Sequence, residues 1–298
     1  MTKPQRPSRR AILQGGAVWL GSAHAISAAS NQPPAVRFGV LTDVHHADKP
    51  EWGTRYYRES LSKLAECVTK LREAQIEFLV ELGDLVDAAR DVETERAWLK
   101  QAVDVLRRAR VDTHCVLGNH CVQTLTKEHF LTEVGRKRSF YSFARGGIHF
   151  IVLDACFRKD GVSYDAGNFD WKDTEIPSEQ RNWLRQDLAR ARGPVVALVH
   201  QRLDSQDVHA VASAGAVREI LERSQKVIAV FQGHSHKNDH KEINGIHYCT
   251  LKAMVEGSGP HSNGYSLVSV YRSSALRLEG FREQRSYEVN ARSKTVSS

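Results

Sequence analysis

The sequence is poor in cysteine, with five residues among 298. Because these thiols are sparse and odd in number, they do not indicate the disulfide framework of a small secreted domain. The chain also lacks the biased composition of collagen-like or wholly disordered proteins, since 41% of its residues are hydrophobic and 26% are charged. The length predicts one large domain or two small ones, with a sizeable buried core.

Acidic residues are absent before Asp43. The basic residues among the first ten are Lys3, Arg6, Arg9 and Arg10. A weakly apolar run follows over 11–23, and small residues flank His24. This order of charged, apolar and cleavage regions resembles a twin-arginine export signal over 1–25. The apolar run is too short and too rich in Gly and Gln for a membrane-spanning helix, so no stable membrane anchor is expected after cleavage.

The predicted export signal changes how the net charge is interpreted. The full chain carries +7, and removal of 1–25 takes away four positive charges and leaves +3. The resemblance implies passage through the twin-arginine export machinery to a periplasmic or extracellular location. The small remaining surplus does not indicate a nucleic-acid polymer as a partner. The rest of the chain is predicted as a linker over 26–35, one domain over 36–285 and a polar tail over 286–298.

Short apolar segments alternate with amphipathic ones along this domain. Strands are predicted at 36–41, 76–82, 112–117, 195–199 and 227–231. Helices are predicted at 54–74, 92–108, 178–192 and 208–223. This alternation is typical of an α/β fold. In open α/β sheets ligands bind beyond the carboxyl ends of the strands, so the residues that follow the strands are candidates for a site.

Metal-ligating residue types follow all five of these strands. The series is Asp43-x-His45, Gly83-Asp84, Gly118-Asn119-His120, His200 and Gly233-His234-x-His236. Each motif alone has an ordinary explanation, such as a turn or a helix cap, but the ordered set favours one shared site. Oxygen and imidazole ligands without thiolate suit Mn, Fe, Zn or Co rather than a structural zinc ion. Two carboxylates with several imidazoles can hold two divalent ions when one carboxylate bridges them.

The ordered motifs resemble those of the calcineurin-like metallophosphoesterases over 38–236. This resemblance implies an α/β fold with four layers, an α/β/β/α sandwich, and a two-metal site at the strand ends. One metal would be held by Asp43, His45, Asp84 and His236. The other would be held by Asp84, Asn119, His200 and His234, with Asp84 bridging. Asp84 and His120 are the implied catalytic residues, with His120 beside the metals as the proton donor to the leaving oxygen.

The implied activity is hydrolysis of a phosphoric ester or anhydride by in-line attack of a hydroxide held on the two metals. The cations stabilise the charge that gathers on the phosphoryl oxygens, and proton donation by His120 would add about 10²–10⁴-fold. One residue departs from the family pattern, since Cys121 stands where many members have an acid directly after the Asn-His pair. Asp87 is a candidate substitute for that acid.

A second, local resemblance concerns the substrate. The segment 53–61, which reads Gly-Thr-Arg-Tyr-Tyr-Arg-Glu-Ser-Leu, is similar to a segment that follows the first metal motif in the manganese-dependent ADP-ribose/CDP-alcohol diphosphatase branch. This resemblance implies Mn as the favoured metal and small nucleotide diphosphates or phosphodiesters as substrates. His45 is a departure, because the best-known members of the branch have Gln at that place.

Candidate substrate contacts come from two segments. They are Arg55, Tyr56, Tyr57 and Arg58 in the first, and Asn168, Phe169 and Asp170 in the second. Arg binds phosphate through paired hydrogen bonds and Tyr stacks on a base, while a helix start that packs on the core is an equal alternative for the first segment. The second lies in a Gly/Asp-rich run over 158–176 that predicts a specificity loop. Trp52 and Trp171 are further candidates for a pocket wall.

Two other functions stay open on the sequence alone. The same scaffold is compatible with an exported phosphomonoesterase of the acid or alkaline phosphatase type. A module that binds metal or a phosphorylated ligand without catalysis is the alternative from another class, and the complete ligand series argues against it. Hydrolysis of bis-aryl and mono-aryl phosphates distinguishes these functions.

Overall fold

A computed structural model describes residues 33–289 of the chain. The strands within these residues are β1 (Val36–Leu41), β2 (Phe78–Glu81), β3 (Asp112–Cys115), β4 (Tyr141–Arg145), β5 (Ile148–Val152), β6 (Val195–Leu198), β7 (Val227–Gln232), β8 (Asp239–Ile243), β9 (Ile246–Thr250), β10 (Gly264–Val270), β11 (Leu276–Arg282) and β12 (Tyr287–Val289). The helices are α1 (Ser60–Glu73), α2 (Val92–Arg107), α3 (Lys127–Glu133), α4 (Ser178–Arg190) and α5 (Ala214–Arg223). The export signal predicted over 1–25 lies outside the described residues and stays a prediction.

Two six-stranded mixed sheets form the centre of the fold, in the orders β12-β11-β10-β1-β2-β3 and β4-β5-β6-β7-β9-β8. In the first sheet β1, β2 and β3 run parallel, and in the second sheet β5, β6, β7 and β9 do. Apolar side chains from both sheets fill the space between them. Phe38 stacks on Phe78 with ring centroids 4.9 Å apart and meets the edge of Phe150 from the other sheet at 5.4 Å.

Helices cover the two outer faces of this pair of sheets. α1, α2 and α3 bury apolar residues such as Leu64 and Leu99 against the first sheet. α4 and α5 bury Leu184 and Val217 against the second. The structure therefore has the four α/β/β/α layers predicted from the motifs. No helix within residues 33–289 combines the length and apolarity that a membrane crossing requires.

The limits of two elements differ from those predicted. α1 begins at Ser60 rather than at 54, because Arg55 forms backbone bridges with Trp52 and Glu256 that a helix would break. At the other end, β12 pairs with β11 inside the segment predicted as a polar tail over 286–298. Val289 is only 4% exposed in this pairing. The ordered fold thus reaches at least to Val289 rather than ending at 285.

A buried histidine in the first sheet gives a prediction about acid stability. The ring of His114 stacks on Phe143 with centroids 3.7 Å apart, and its Nδ1 lies 3.0 Å from the Tyr141 hydroxyl. Burial lowers the pKa of His114 from 6.5 to about 4. Between these two pH values the unfolded chain binds a proton that the folded chain does not. The free energy of unfolding therefore falls as pH drops through this window, by about 3 kcal/mol from this residue.

We expect the His114→Phe variant to lose this part of the pH dependence while keeping the aromatic stack. Urea unfolding of both proteins at pH 7, 5.5 and 4 measures the effect. The wild type is expected to lose more stability than the variant between pH 6.5 and 4, whatever their difference at pH 7. Equal losses in the two proteins would contradict the assignment.

Candidate active site

The carboxyl ends of five parallel strands meet at one end of the two sheets. Strands β1, β2 and β3 lead into Asp43 to His45, Asp84 and Asn119. From the second sheet, β6 leads into His200, and β7 leads into His234 and His236. Apart from the half-buried His236, all of these candidate ligands are buried.

The ligand atoms form two groups, which are linked by a third that consists of His45, Asp84 and His120. In the first, Oδ1 of Asp43 lies 3.7 Å from Nε2 of His45 and 3.4 Å from Nε2 of His236, and the two ring nitrogens are 3.2 Å apart. In the second, Asp84 joins His200 and His234. Oδ2 of Asp84 lies 3.1 Å from Nε2 of His200 and 3.6 Å from Nε2 of His45. Asp84 is therefore placed between the groups, where a bridging carboxylate would stand.

Buried polar atoms without a hydrogen-bond partner indicate whether these residues are suited to bind metal ions. The buried atoms without a hydrogen-bond partner include Oδ1 of Asp43, Oδ1 of Asn119, Nε2 of His200 and Nε2 of His234. Buried polar atoms normally have a partner, so a cluster of four demands an explanation. The opposite ring nitrogens are engaged: Nδ1 of His45 lies 3.1 Å from Oδ2 of Asp87, and Nδ1 of His200 donates to the Leu82 carbonyl at 2.8 Å. This pattern leaves the Nε2 lone pairs for metal, so the donor set fits two divalent cations.

The backbone at the ligands lies in a sparsely populated conformation. Positive φ angles occur at Asp43 (52°), His45 (45°), Asp84 (59°), His234 (67°) and His236 (61°). Such angles are uncommon for non-glycine residues, although Asp and His adopt them more readily than most, and five of them at one cluster of side chains is typical of a functional site. The strand ends therefore turn sharply to present these side chains. Gly118 is required beside them, because a Cβ there would lie 2.2 Å from Oδ1 of Asp84.

The charges within the ligand cluster raise the pKa values of His45 and His200 and lower that of Asp43. Burial lowers the pKa of His45, but the nearby carboxylates of Asp43 and Asp87 outweigh burial and raise it to about 9. Burial likewise opposes protonation of His200, and the negative charge of Asp84 prevails and raises its pKa to about 9. Burial tends to raise the pKa of Asp43, yet the neighbouring imidazoles of His236 and His45 hold it well below its usual range. Because these pKa values favour protons on His45 and His200, cations that bind there would displace those protons.

The family model of calcineurin-like phosphoesterases matches residues 36–238. The chain belongs to this family. It is thus a metal-dependent phosphoric ester or anhydride hydrolase.

Relatives extend the similarity over most of the chain. A manganese-dependent ADP-ribose/CDP-alcohol diphosphatase of Oryza sativa subsp. japonica is 26% identical, over 83% of this chain and 92% of its own length. The protein of the same name from Danio rerio is 23% identical, over 80% of this chain and 94% of its own. Among solved structures, a dimetal phosphatase from Danio rerio has a TM-score of 0.73 at 20% identity, over 87% of this chain and all of its own. The fold is shared with that protein.

His120 lies beside the metal ligands of this phosphoesterase. Its backbone N–H donates to Oδ1 of Asp84 at 2.8 Å, and its ring meets that of His45 with centroids 4.6 Å apart. Nδ1 of His120 is 3.5 Å from Oδ2 of Asp87. Cys121, which follows it, is fully buried in the apolar core. Asp87 thus supplies the carboxylate beside His120, which Cys121 in the next position does not provide.

An open cavity of about 600 Å³ lies over the ligands of the phosphoesterase. The side chains around its rim are Trp52, Arg55, Gln123, Phe169, Asp170, Trp171 and His209. Arg55, Phe169 and Asp170 are among the predicted substrate contacts, and both Trp residues are the predicted wall candidates. The ring of Trp171 stands 5.5 Å from that of His234, and the Arg55 guanidinium lies 5.7 Å from the Trp52 ring.

The structure does not bring the other predicted contacts to this cavity. In place of a substrate contact, Tyr57 is buried in a small core cluster with Val255, because its 3-10 turn faces inward. The backbone N–H of Tyr56 donates to the carbonyl of Val255. Arg58 points away and pairs with Asp48 at 2.5 Å. The Asn168 amide bonds within its own loop, to Asp165 and Ser163.

Two residues at the site were not predicted from the sequence. His209 was predicted within a helix over 208–223, but α5 begins only at Ala214. A backbone bridge between Arg202 and Ala210 holds the preceding loop, which carries His209 to the cavity. Glu256 belongs to no motif and contacts His236 through the fold alone. The Asp207 carboxylate accepts the His209 backbone N–H in a local turn, and this turn favours a later start for the helix than 208.

Proposed function

We propose that this phosphoesterase hydrolyses small nucleotide-type diphosphates or phosphodiesters, such as ADP-ribose and CDP-alcohols, with Mn²⁺ as its metal. The observation that carries the proposal is the cavity, in which two Trp rings and one guanidinium stand over the ligand cluster. A base can stack on the rings of Trp52 or Trp171, and Arg55 can pair with a second phosphate. A simple phosphomonoester has no group for either contact. The names of the similar proteins support the same substrate class and metal.

Different residues of the chain have different roles in this reaction. When bound, the two cations supply a nucleophile at neutral pH and neutralise the phosphoryl oxygens. Asp84, which would bridge the two cations, is held in place by the backbone N–H of His120. The imidazole of His120, oriented by Asp87, faces the cavity and delivers a proton to the leaving oxygen. Arg55 and the aromatic rim orient the rest of the substrate.

A screen of metals against substrates tests the proposal. ADP-ribose, CDP-choline and bis(4-nitrophenyl) phosphate are compared with 4-nitrophenyl phosphate, each with Mn²⁺, Co²⁺ and Zn²⁺. We expect the nucleotide diphosphates to be cleaved fastest, and with Mn²⁺. Hydrolysis of the monoester alone would point instead to the phosphomonoesterase alternative. Metal binding without hydrolysis of any substrate would point to a non-catalytic module.

Arg55 provides a direct test of substrate recognition. Arg55→Ala is expected to raise the KM for ADP-ribose by about 10- to 100-fold, with a smaller change in kcat, because a charge-assisted hydrogen bond to phosphate contributes about 1.5–3 kcal/mol. Steady-state kinetics at saturating Mn²⁺ measure both constants. Arg58→Ala is the matched control, since Arg58 pairs with Asp48 away from the cavity. Equal effects in the two variants would remove Arg55 from the substrate site.

A further inference from the structure

A short segment that precedes β10 connects the metal ligands with the loop that carries Arg55. On one side, backbone N–H groups of Met254 and Val255 donate to the carbonyls of Thr42 and Asp43 at 3.2 and 3.0 Å. On the other side, the N–H of Gly257 donates to the Thr54 carbonyl at 2.8 Å. The segment 254–257 therefore lies between the first metal motif and the rim of the cavity.

The carboxylate of Glu256 points from this segment to a metal ligand. Its Oε1 lies 2.6 Å from Nδ1 of His236, and the two side chains are only 15% and 12% exposed. The imidazoles of His45 and His200 also have acceptors at Nδ1, namely Asp87 and the Leu82 carbonyl. His236 thus follows the arrangement of the other ligands, and Glu256 is the acceptor that turns its Nε2 toward Asp43.

A buried lysine fixes the position of this glutamate. The ammonium group of Lys63, which is 2% exposed, donates to the carbonyls of Met254, Glu256 and Gly257 at 3.1, 3.2 and 2.6 Å. Three charge-assisted hydrogen bonds from α1 hold the segment in one conformation. Arg55 then forms its backbone bridge with Glu256 itself. One residue is thereby attached to a metal ligand by its side chain and to the substrate loop by its backbone.

We propose that Glu256 is a positioning residue. It orients His236 for metal binding, and it fixes the position of the loop that carries Arg55 relative to the metal centre. The inference rests on the two-metal site of the proposed function. A carboxylate that accepts from the far nitrogen of a ligating imidazole fixes the orientation of the ring and strengthens it as a ligand. Loss of the carboxylate leaves the ring free to rotate and weakens the group formed by Asp43, His45 and His236.

Titration of the metal-free full chain with Mn²⁺ at one fixed pH tests this role. Calorimetry of the wild type is expected to show two binding events. Glu256→Ala is expected to weaken one of them by about 10- to 100-fold. Glu256→Gln keeps an oxygen that accepts from the imidazole, so its loss is expected to stay below about tenfold. Circular dichroism without metal verifies folding, and Glu256→Gln carries the test if the alanine variant does not fold.

The matched control is Glu59→Ala. The Glu59 carboxylate binds the neighbouring residues Ser258 and Gly259 at 2.9 and 2.6 Å but has no contact with a metal ligand. The proposal requires the control to keep the Mn²⁺ affinity of the wild type. Unchanged affinity in both Glu256 variants, or an equal loss in Glu59→Ala, overturns it. A wild type that binds no Mn²⁺ refutes the metal proposal itself, which separates the two failures.

Discussion

Asp84→Asn is expected to reduce the hydrolysis of bis(4-nitrophenyl) phosphate by about 10³-fold or more. Oδ2 of Asp84 lies 3.1 Å from Nε2 of His200 and 3.6 Å from Nε2 of His45, so this carboxylate serves both ligand groups. An amide of the same size keeps the packing but removes the charge that holds two cations close together. Since the cations carry most of the stabilisation of phosphoryl charge, loss of one removes most of the rate.

Two measurements accompany this prediction. kcat/KM is determined at saturating Mn²⁺, and elemental analysis counts the metal retained, which is expected to fall below two ions per chain. Asp48→Asn is the control, because Asp48 is an exposed partner of Arg58 and takes no part in the site. An Asp84→Asn variant that keeps a tenth of the activity with two bound metals would contradict the bridging role.

His120→Ala is expected to give a loss that depends on the leaving group. A leaving alkoxide needs a proton, so removal of the donor is expected to cost about 10²–10⁴-fold on a phosphodiester with an alkyl leaving group, such as a cyclic nucleotide. 4-Nitrophenolate departs without a proton, and the loss on bis(4-nitrophenyl) phosphate is expected to be less than about tenfold. Kinetics on a series of diesters with leaving groups of increasing pKa measure the trend.

A variant of Asp87, the carboxylate beside His120, extends this experiment. Asp87→Asn keeps an oxygen near the imidazole but removes the charge 3.5 Å from Nδ1. Because Asp87 also lies 3.1 Å from Nδ1 of His45, the variant is expected to combine a loss common to all substrates with the same leaving-group trend at a smaller amplitude. Equal losses on good and poor leaving groups in His120→Ala would show that His120 binds the phosphoryl group and donates no proton. If both variants show the leaving-group trend, Asp87 has the role of the acid that many family members carry at the position of Cys121.

The general position of the metal centre could be predicted from the sequence because it follows from sheet geometry. Parallel strands end at a common edge, so Asp43, Asp84 and Asn119 had to approach one another once β1, β2 and β3 paired in register. His200 follows a strand of the other sheet and joins them through the packing of the two sheets. The alternation of elements predicted an α/β fold, whereas the four layers were implied by the resemblance to the calcineurin-like metallophosphoesterases. No signal of this kind exists for Glu256, which lies in an irregular segment without a periodic pattern or a motif. Its contact with His236 depends on three hydrogen bonds from Lys63 that only the fold creates.

The substrate contacts were predicted less completely for a related reason. Arg55 and Arg58 stand three residues apart, and a helix from 54 would have placed them on one face. Instead the bridges of Arg55 to Trp52 and Glu256 delay the helix to Ser60, which directs Arg55 to the cavity and Arg58 to Asp48. The choice between these conformations is made by the partner segment 254–257, which lies far away in sequence.

The division of the ligands between the two sheets has a consequence for how the protein loses activity. Asp43, Asp84 and Asn119 follow strands of one sheet, whereas His200, His234 and His236 follow strands of the other. The candidate metal centre therefore lies between the two sheets, and bound ions would hold the sheets together through their shared ligands. A slip of one sheet against the other by an ångström or two separates the ligands while every helix and strand stays intact. We therefore expect catalytic activity to depend on the alignment of the two sheets and to be lost before the secondary structure.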